Sequence, residues 1–322
     1  MMIVFENAGL GGLWLAALFL NTGIAFAQTG APAATEQTRS ALEAGLGAGM
    51  DAAVREAAND PRFGGQTEQQ RRESIEFVLG NVLFAVTHEV GHMLVSRMGL
   101  PVLGREEDAA DAFAVVTGLK LGNAFSDRIL TESASGWFMN DARDKKEQTR
   151  AIYYDEHGLD EQRAYNIVCL MVGSNLQKFS PLANKTKLPA ERQGTCQFDY
   201  SNASWSWELA LTPHIRKPDQ PKTQITAVYA DSKEYEFLKR TFVQMRLLET
   251  LAEHLSDRYV WPEPLGFEMT ACGEPNARWA PMLKKIVVCY ELATDFVDLH
   301  RGYARYEVEP PSPKIARNTK RY

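Results

Sequence analysis

Residues 82–95 are almost entirely apolar, yet they contain two histidines and a glutamate in the order His88-Glu89-Val-Gly-His92. A solvated helix would show polar residues at every second or third position, so this segment predicts a helix buried in the protein interior. Ionisable side chains are costly to bury unless they are paired or bind a metal. The alternative is a pair of core histidines that are satisfied by neighbouring groups.

The spacing of the two histidines favours metal binding. In a helix, His88 and His92 project from the same face about one turn apart, which allows two neutral imidazoles to bind one Zn²⁺ ion. Glu89 stands beside them and can take a proton from a water that the metal activates. We therefore predict one zinc ion per chain and Glu89 as the catalytic base. A third histidine of the metzincin type is excluded, because Val95 and Met98 occupy the required positions.

A third ligand is expected in the next helix, which the pattern predicts over residues 106–119. Its first turn is acidic, as the positive end of the helix dipole favours. Glu107 and Asp111 are four residues apart and share a face. We predict Glu107 as the third metal ligand and Asp111 as the outer partner that fixes a histidine tautomer. Glu106 is the competing choice of ligand, although a solvated helix start also accounts for it.

The two motifs together resemble the gluzincin pattern, in which a glutamate on a second helix completes the zinc site. The Glu-x-x-Ala-Asp form at 107–111 is similar to that of integral-membrane CAAX-type proteases and their soluble relatives. The wider sequence resembles a bacterial family of exported metallopeptidases. The resembling segments are 100–111, 155–169, 272–277 and 289–292. The resemblance implies a mainly helical α+β zincin-like metallopeptidase fold with a small β-sheet or hairpin, over residues 67–301.

The family-like segment 155–169 holds two candidates for a further catalytic role. Metallopeptidases need a donor that stabilises the tetrahedral oxyanion, usually a His or Tyr outside the ligand set. His157 and Tyr165 are the candidates. A helix-capping or surface role accounts for His157 equally well.

Residues 275–279 are similar to the Asn-Ala-aromatic edge strand of thermolysin-like and neprilysin-like enzymes. In those enzymes the strand holds an extended substrate by β-addition. The resemblance implies that Asn276 and Ala277 bind substrate. The segment follows the zinc motif here, whereas it precedes the motif in those enzymes. The alternative is a hairpin tip stapled by a disulfide.

The N-terminus predicts export. Residues 10–27 form an apolar run that ends in Ala-Phe-Ala27, which is typical of a signal peptide cleaved after Ala27. An uncleaved anchor is the alternative, because residues 1–8 contain Glu6 and no Lys or Arg. We expect a periplasmic or secreted protein with no stable membrane span after cleavage.

The four cysteines predict two disulfides, since export and an even count favour pairing over four buried thiols. Proximity along the chain favours Cys169 with Cys196 and Cys272 with Cys289.

The rest of the chain divides by composition. Residues 28–66 predict a flexible lead-in with a weak helix near 39–58, and residues 302–322 predict a disordered tail. The strand-like runs 265–271 and 284–290 predict a hairpin. The net charge is −6 without a basic stripe, so nucleic acid is not an expected partner.

Together these features predict a zinc-dependent peptidase that acts on a peptide or protein. Oligomeric state is not determined by the sequence. Two other classes remain open: a zinc-stabilised periplasmic binding or assembly protein, and a zinc hydrolase of a non-peptide amide. Glu89 argues against the binding protein, because metal binding alone does not require that residue.

Overall fold

The structure is a computed structural model that describes residues 49–303. The predicted signal peptide over 1–27, residues 28–48 of the predicted lead-in and residues 304–322 of the predicted tail lie outside the described residues. The described part is mainly helical with one small sheet, which confirms the predicted α+β class.

Helices dominate the first part of the described chain. In order they are α1 (Glu68–Met98), α2 (Glu106–Leu121), α3 (Ala124–Glu147), α4 (Asp160–Ser174), α5 (Leu176–Lys185) and α6 (Ala190–Leu211). The predicted second helix corresponds to α2. α1 begins at a capping box in which Thr67 and Gln70 satisfy each other's backbone amides. It ends at Gly99, whose left-handed conformation (φ 62°) suits a residue without a Cβ.

The central helix α1 contacts α2, α3 and the sheet. By length and composition α1 could cross a membrane, but 72% of its apolar window is buried inside the protein. Its hydropathy is therefore accounted for by core packing, as the run at 82–95 predicted.

The second part of the chain holds the sheet and the helices that cover it. The elements are β1 (Ile225–Tyr229), α7 (Glu236–Gln244), α8 (Leu247–Arg258), β2 (Leu265–Thr270), β3 (Ala277–Ala280), β4 (Lys285–Cys289) and α9 (Tyr290–Tyr303). The strand order is β1-β2-β4-β3, so β3 lies at one edge. β2 pairs with its two neighbours in parallel, and β3 pairs with β4 antiparallel.

The predicted hairpin, which paired residues 265–271 with residues 284–290, is wrong because it joins the wrong two strands. Those two runs form β2 and β4, which are parallel, so they cannot be joined by a tight turn. The hairpin is instead β3–β4, because the residues between the two predicted strands form a strand of their own.

The described residues of the lead-in contain a helix within the predicted 39–58, but they are packed rather than flexible, and the predicted tail begins inside a helix. Residues 49–56 are helical, and Ala53, Val54 and Phe63 are buried in the principal apolar cluster together with α1 and the sheet. The described part of the predicted lead-in is thus a component of the core. At the other end, Gly302 and Tyr303 continue α9 rather than starting a tail.

Both disulfides form in the predicted pairing. Cys169–Cys196 joins α4 to α6 inside a second apolar cluster, and Cys272–Cys289 joins the loop after β2 to the end of β4. The second bridge closes the segment that carries β3. It therefore restrains the edge strand that lies next to α1.

Candidate active site

A close helix crossing brings the two metal-binding motifs together. Gly91, inside the motif of α1, faces Ala110 of α2. A Cβ at Gly91 would stand 2.9 Å from the Cα and 3.1 Å from the Cβ of Ala110, which is closer than side chains pack. The glycine thus lets α2 cross directly against the motif. As a result the first turn of α2 lies beside the two histidines.

Three side-chain atoms converge at this crossing. The Nε2 atoms of His88 and His92 are 3.0 Å apart, and the Oε2 of Glu107 lies 3.0 Å from the first and 3.4 Å from the second. Tetrahedral zinc with ligand bonds of about 2.0–2.1 Å would separate its ligand atoms by about 3.3 Å. The three atoms therefore have the spacing of a metal-ligand set.

Outer carboxylates orient both imidazoles. The Nδ1 of His88 hydrogen-bonds Asp111 at 2.7 Å, and the Nδ1 of His92 hydrogen-bonds Glu106 at 2.7 Å. With Nδ1–H donated outwards, each Nε2 presents a lone pair toward the other and toward Glu107. A cation between the three atoms would satisfy all of them at once, so the chemistry of the donors fits a metal ion. Glu106 thus hydrogen-bonds a histidine while its own side chain stays exposed.

The pKa shifts of the two histidines and of Glu107 also favour positive charge at the ligand atoms. Burial lowers the pKa of His92, but hydrogen bonds to Glu107 and Glu106 outweigh it and raise the pKa to about 9. His88 behaves in the same way, with a raised pKa owing to Asp111 and Glu107. Burial raises the pKa of Glu107, yet hydrogen bonds from the surrounding histidines hold it far below its usual range. The site stabilises cations at these atoms.

A buried arginine holds the carboxylate that hydrogen-bonds His88. Arg163 of α4 donates to both oxygens of Asp111, from Nε at 2.8 Å and from Nη2 at 2.7 Å. Its Cζ lies 3.7 Å from the centroid of the Trp137 ring. Both members of the ion pair are buried. The chain of contacts from Trp137 through Arg163 and Asp111 therefore fixes the orientation of His88.

His157 joins the site, whereas Tyr165 does not. The Nε2 of His157 lies 2.8 Å from Glu107, and its Nδ1 lies 3.2 Å from Asp155. The hydroxyl of Tyr165 donates to the carbonyl of Thr186 at 3.1 Å, and its ring packs on the second apolar cluster. The structure thus places Tyr165 in the second apolar cluster and outside the lining of the cleft.

A cleft of about 530 Å³ opens beside the ligands. Its lining includes the predicted ligand His88, the catalytic candidates Glu89 and His157, and the predicted substrate-binding residues Asn276 and Ala277. The segment resembling an edge strand is thus an edge strand, and it forms one wall of the cleft. Among the described residues the side-chain amide of Asn276 donates a hydrogen bond only to Glu274, at 3.3 Å.

Glu89 connects the metal-binding helix to this wall. Its Oε2 accepts a hydrogen bond of 2.6 Å from the main-chain N–H of Trp279 in β3. Burial raises the pKa of Glu89, while His88, this amide and His92 act in the opposite direction. A carboxylate with a raised pKa is a better proton acceptor, as a general base requires.

Fold and site together bring two histidines of an H-E-x-x-H helix and a glutamate of the next helix to positions from which they could hold a metal ion. A family model described as "Putative metallopeptidase" matches residues 53–211 and 228–319, most of the chain, and the chain belongs to this family. The membership indicates a peptidase that uses a metal ion. No curated protein and no solved structure matches the chain significantly.

Sequence reasoning missed three contributors to the site. Two histidine ligands usually require two outer acceptors, and that rule could have assigned Glu106 beside Asp111. Arg163 lies in the family-like segment but has no local signal, because its partner is 52 positions away. The amide of Trp279 is a backbone group, which no residue pattern identifies.

Proposed function

We propose that this protein is a gluzincin-like zinc peptidase that hydrolyses peptide bonds. The observation that carries the proposal is the convergence of His88, His92 and Glu107 at ligand spacing, with Glu89 beside them on the cleft wall. Two imidazoles and one carboxylate with an open fourth position are the donor set of catalytic zinc sites. Outer carboxylates on both histidines match the support that such sites need.

Different residues of the chain carry out different parts of the hydrolysis. Zinc, when bound, supplies the Lewis acidity that polarises a carbonyl and activates a water. Glu89 takes the proton of the attacking water and passes it to the leaving amine. His157, oriented by Asp155, donates a hydrogen bond to the oxyanion of the tetrahedral intermediate. In the absence of substrate, the Nε2 of His157 lies 2.8 Å from Oε2 of Glu107.

The cleft supports the proposal of a peptide substrate. An extended peptide can pair with the free edge of β3 through main-chain hydrogen bonds, and Asn276 offers an amide beside it. We further propose that the protein acts after export, in the periplasm or outside the cell. The two disulfides support that location, because such bonds persist in oxidising compartments.

The test measures zinc content and peptide hydrolysis on the same samples. Glu89→Gln keeps the shape of the side chain and removes the base, so we expect full zinc and loss of casein hydrolysis. Glu107→Ala should lose most of the zinc. Glu106→Ala should weaken zinc affinity only about ten- to a hundred-fold, as the loss of an outer partner does.

Two results would refute the proposal. Hydrolysis by Glu89→Gln within a few-fold of wild type would remove the base mechanism. A zinc-loaded wild type that cleaves neither casein nor a mixed peptide library would favour a binding protein, or a hydrolase of small amides if such compounds are cleaved instead.

A further inference from the structure

The main chain of β3 alternates between its partner strand and the cleft. The carbonyl of Asn276 accepts from the amide of Cys289 at 2.9 Å, so the main-chain groups of Asn276 point toward β4. In an antiparallel pair this direction alternates, and Arg278 therefore also turns toward β4. The N–H and C=O groups of Ala277 and Trp279 turn outward. Because β3 is the edge of the sheet, they face away from β4 on the side where α1 lies, and Ala277 lines the cleft.

One of these outward groups is already engaged. The N–H of Trp279 donates to Oε2 of Glu89 at 2.6 Å. Within the described part of the chain, the outward groups of Ala277 and the C=O of Trp279 have no hydrogen-bond partner. A glutamate side chain has three rotatable bonds, so fixing one oxygen restricts where the other can lie.

We propose that the main-chain amide of Trp279 is a positioning group for Glu89, and that it sets the register of the bound peptide. The inference rests on the proposed peptidase function. The edge of β3 is divided between two tasks: the N–H of Trp279 holds the base, while the C=O of Trp279 and both groups of Ala277 pair with substrate.

The division has a consequence for the substrate. A peptide that pairs antiparallel to β3 has, opposite Trp279, a residue that finds an acceptor on the strand for its N–H but no free donor for its C=O. That carbonyl has no donor on the strand and lies beside Glu89, so we assign it to the scissile bond. The residue two positions along the peptide, about 7 Å away, makes both of its hydrogen bonds to Ala277.

The strand is held firmly enough for this role. The Cys272–Cys289 bridge closes its loop, and the carboxylate of Glu291 accepts from the amides of Cys272 and Gly273. At the other end, Arg97 of α1 lies over the Trp279 ring, with its Cζ 5.2 Å from the ring centroid. β3 is thus anchored at both ends of the segment that contacts Glu89.

Proline substitution separates the two tasks. Trp279→Pro removes the N–H that faces Glu89. It breaks no hydrogen bond to β4, because this N–H points outward, and edge strands tolerate Pro at such positions. Trp279→Ala is the matched control, since it loses the ring but keeps the amide. With zinc content equal, we expect kcat of Trp279→Pro to fall about a hundred-fold below that of Trp279→Ala, with KM changed little. Ala277→Pro should instead raise KM and leave kcat within a few-fold.

Equal kcat values for the two Trp279 variants would overturn the inference. A second measurement needs neither activity nor a folded proline variant. Amide hydrogen exchange in Glu89→Ala should be at least about ten-fold faster at Trp279 than in wild type, while the amide of Arg278, bonded to β4, stays unchanged. Unchanged exchange at Trp279 would equally refute the contact. An inactive wild type with this exchange pattern would reject the peptidase function and leave the contact standing.

Discussion

The crossing of α1 and α2 at Gly91 can be tested with a single methyl group. In Gly91→Ala the new Cβ would stand 2.9 Å from the Cα of Ala110. Carbon atoms pack at about 3.5–4.0 Å, so α2 must move outward by about 0.6–1 Å. Overpacking of this kind costs about 1–3 kcal/mol, partly offset by the better helix propensity of alanine, about 1 kcal/mol.

The same displacement of α2 should lower the affinity for zinc. Glu107 lies in the first turn of α2, one turn before Ala110. Metal-ligand distances tolerate only about ±0.2 Å, so a displaced helix should lower zinc affinity at least about ten-fold. Urea unfolding of the metal-free protein measures the first effect, and competition with a chelator of known affinity measures the second.

The chain offers a matched control at Gly194 in α6. A Cβ there meets no atom within 4 Å, so Gly194→Ala should stabilise the protein by up to about 1 kcal/mol without changing zinc affinity. The reasoning would be refuted if Gly91→Ala matched Gly194→Ala in both assays. It would be equally refuted if Gly91→Ala were destabilised while binding zinc as tightly as wild type, because the glycine would then matter only for packing.

Three further predictions concern the support of the site and the stability of the fold. Arg163→Ala leaves the buried carboxylate of Asp111 without its partner, so the free energy of unfolding should fall by about 3–5 kcal/mol, and an unchanged urea midpoint would contradict the ion pair. Burial raises the pKa of Glu132 to about 7, so the folded protein binds this proton more tightly than the unfolded chain, and stability should fall as pH rises from about 4.5 through 7. Glu132→Gln should remove that loss, giving a higher Tm than wild type at pH 8 and little difference at pH 4; equal Tm values at pH 8 would show that the carboxyl is well solvated. Replacing Cys272 and Cys289 with alanine opens a loop with a sequence separation of 17 residues and should cost about 3 kcal/mol, measured by urea unfolding with zinc-free protein; a loss below about 1 kcal/mol would mean that the strand pairing alone holds the loop.

The sequence by itself determined the parts of the site that lie on single helices. His88 and His92 share a face because helix geometry sets the positions of residues four apart, and the same rule placed Glu107 and Asp111 together. The apolar run at 82–95 identified α1 as a core helix for the same local reason. These relations depend on neighbours along the chain, so no knowledge of packing was needed.

Only the tertiary structure decided which groups from distant segments meet. Arg163 reaches Asp111 across 52 positions, and the amide of Trp279 reaches Glu89 across 190. The same limit explains why the hairpin was misplaced and why Tyr165 lies in an apolar cluster. The pairing of a strand and the environment of each helix face depend on the elements that pack against them. A sequence specifies the local period of a helix or strand, but the partner of each face is set by the summed burial of the whole core.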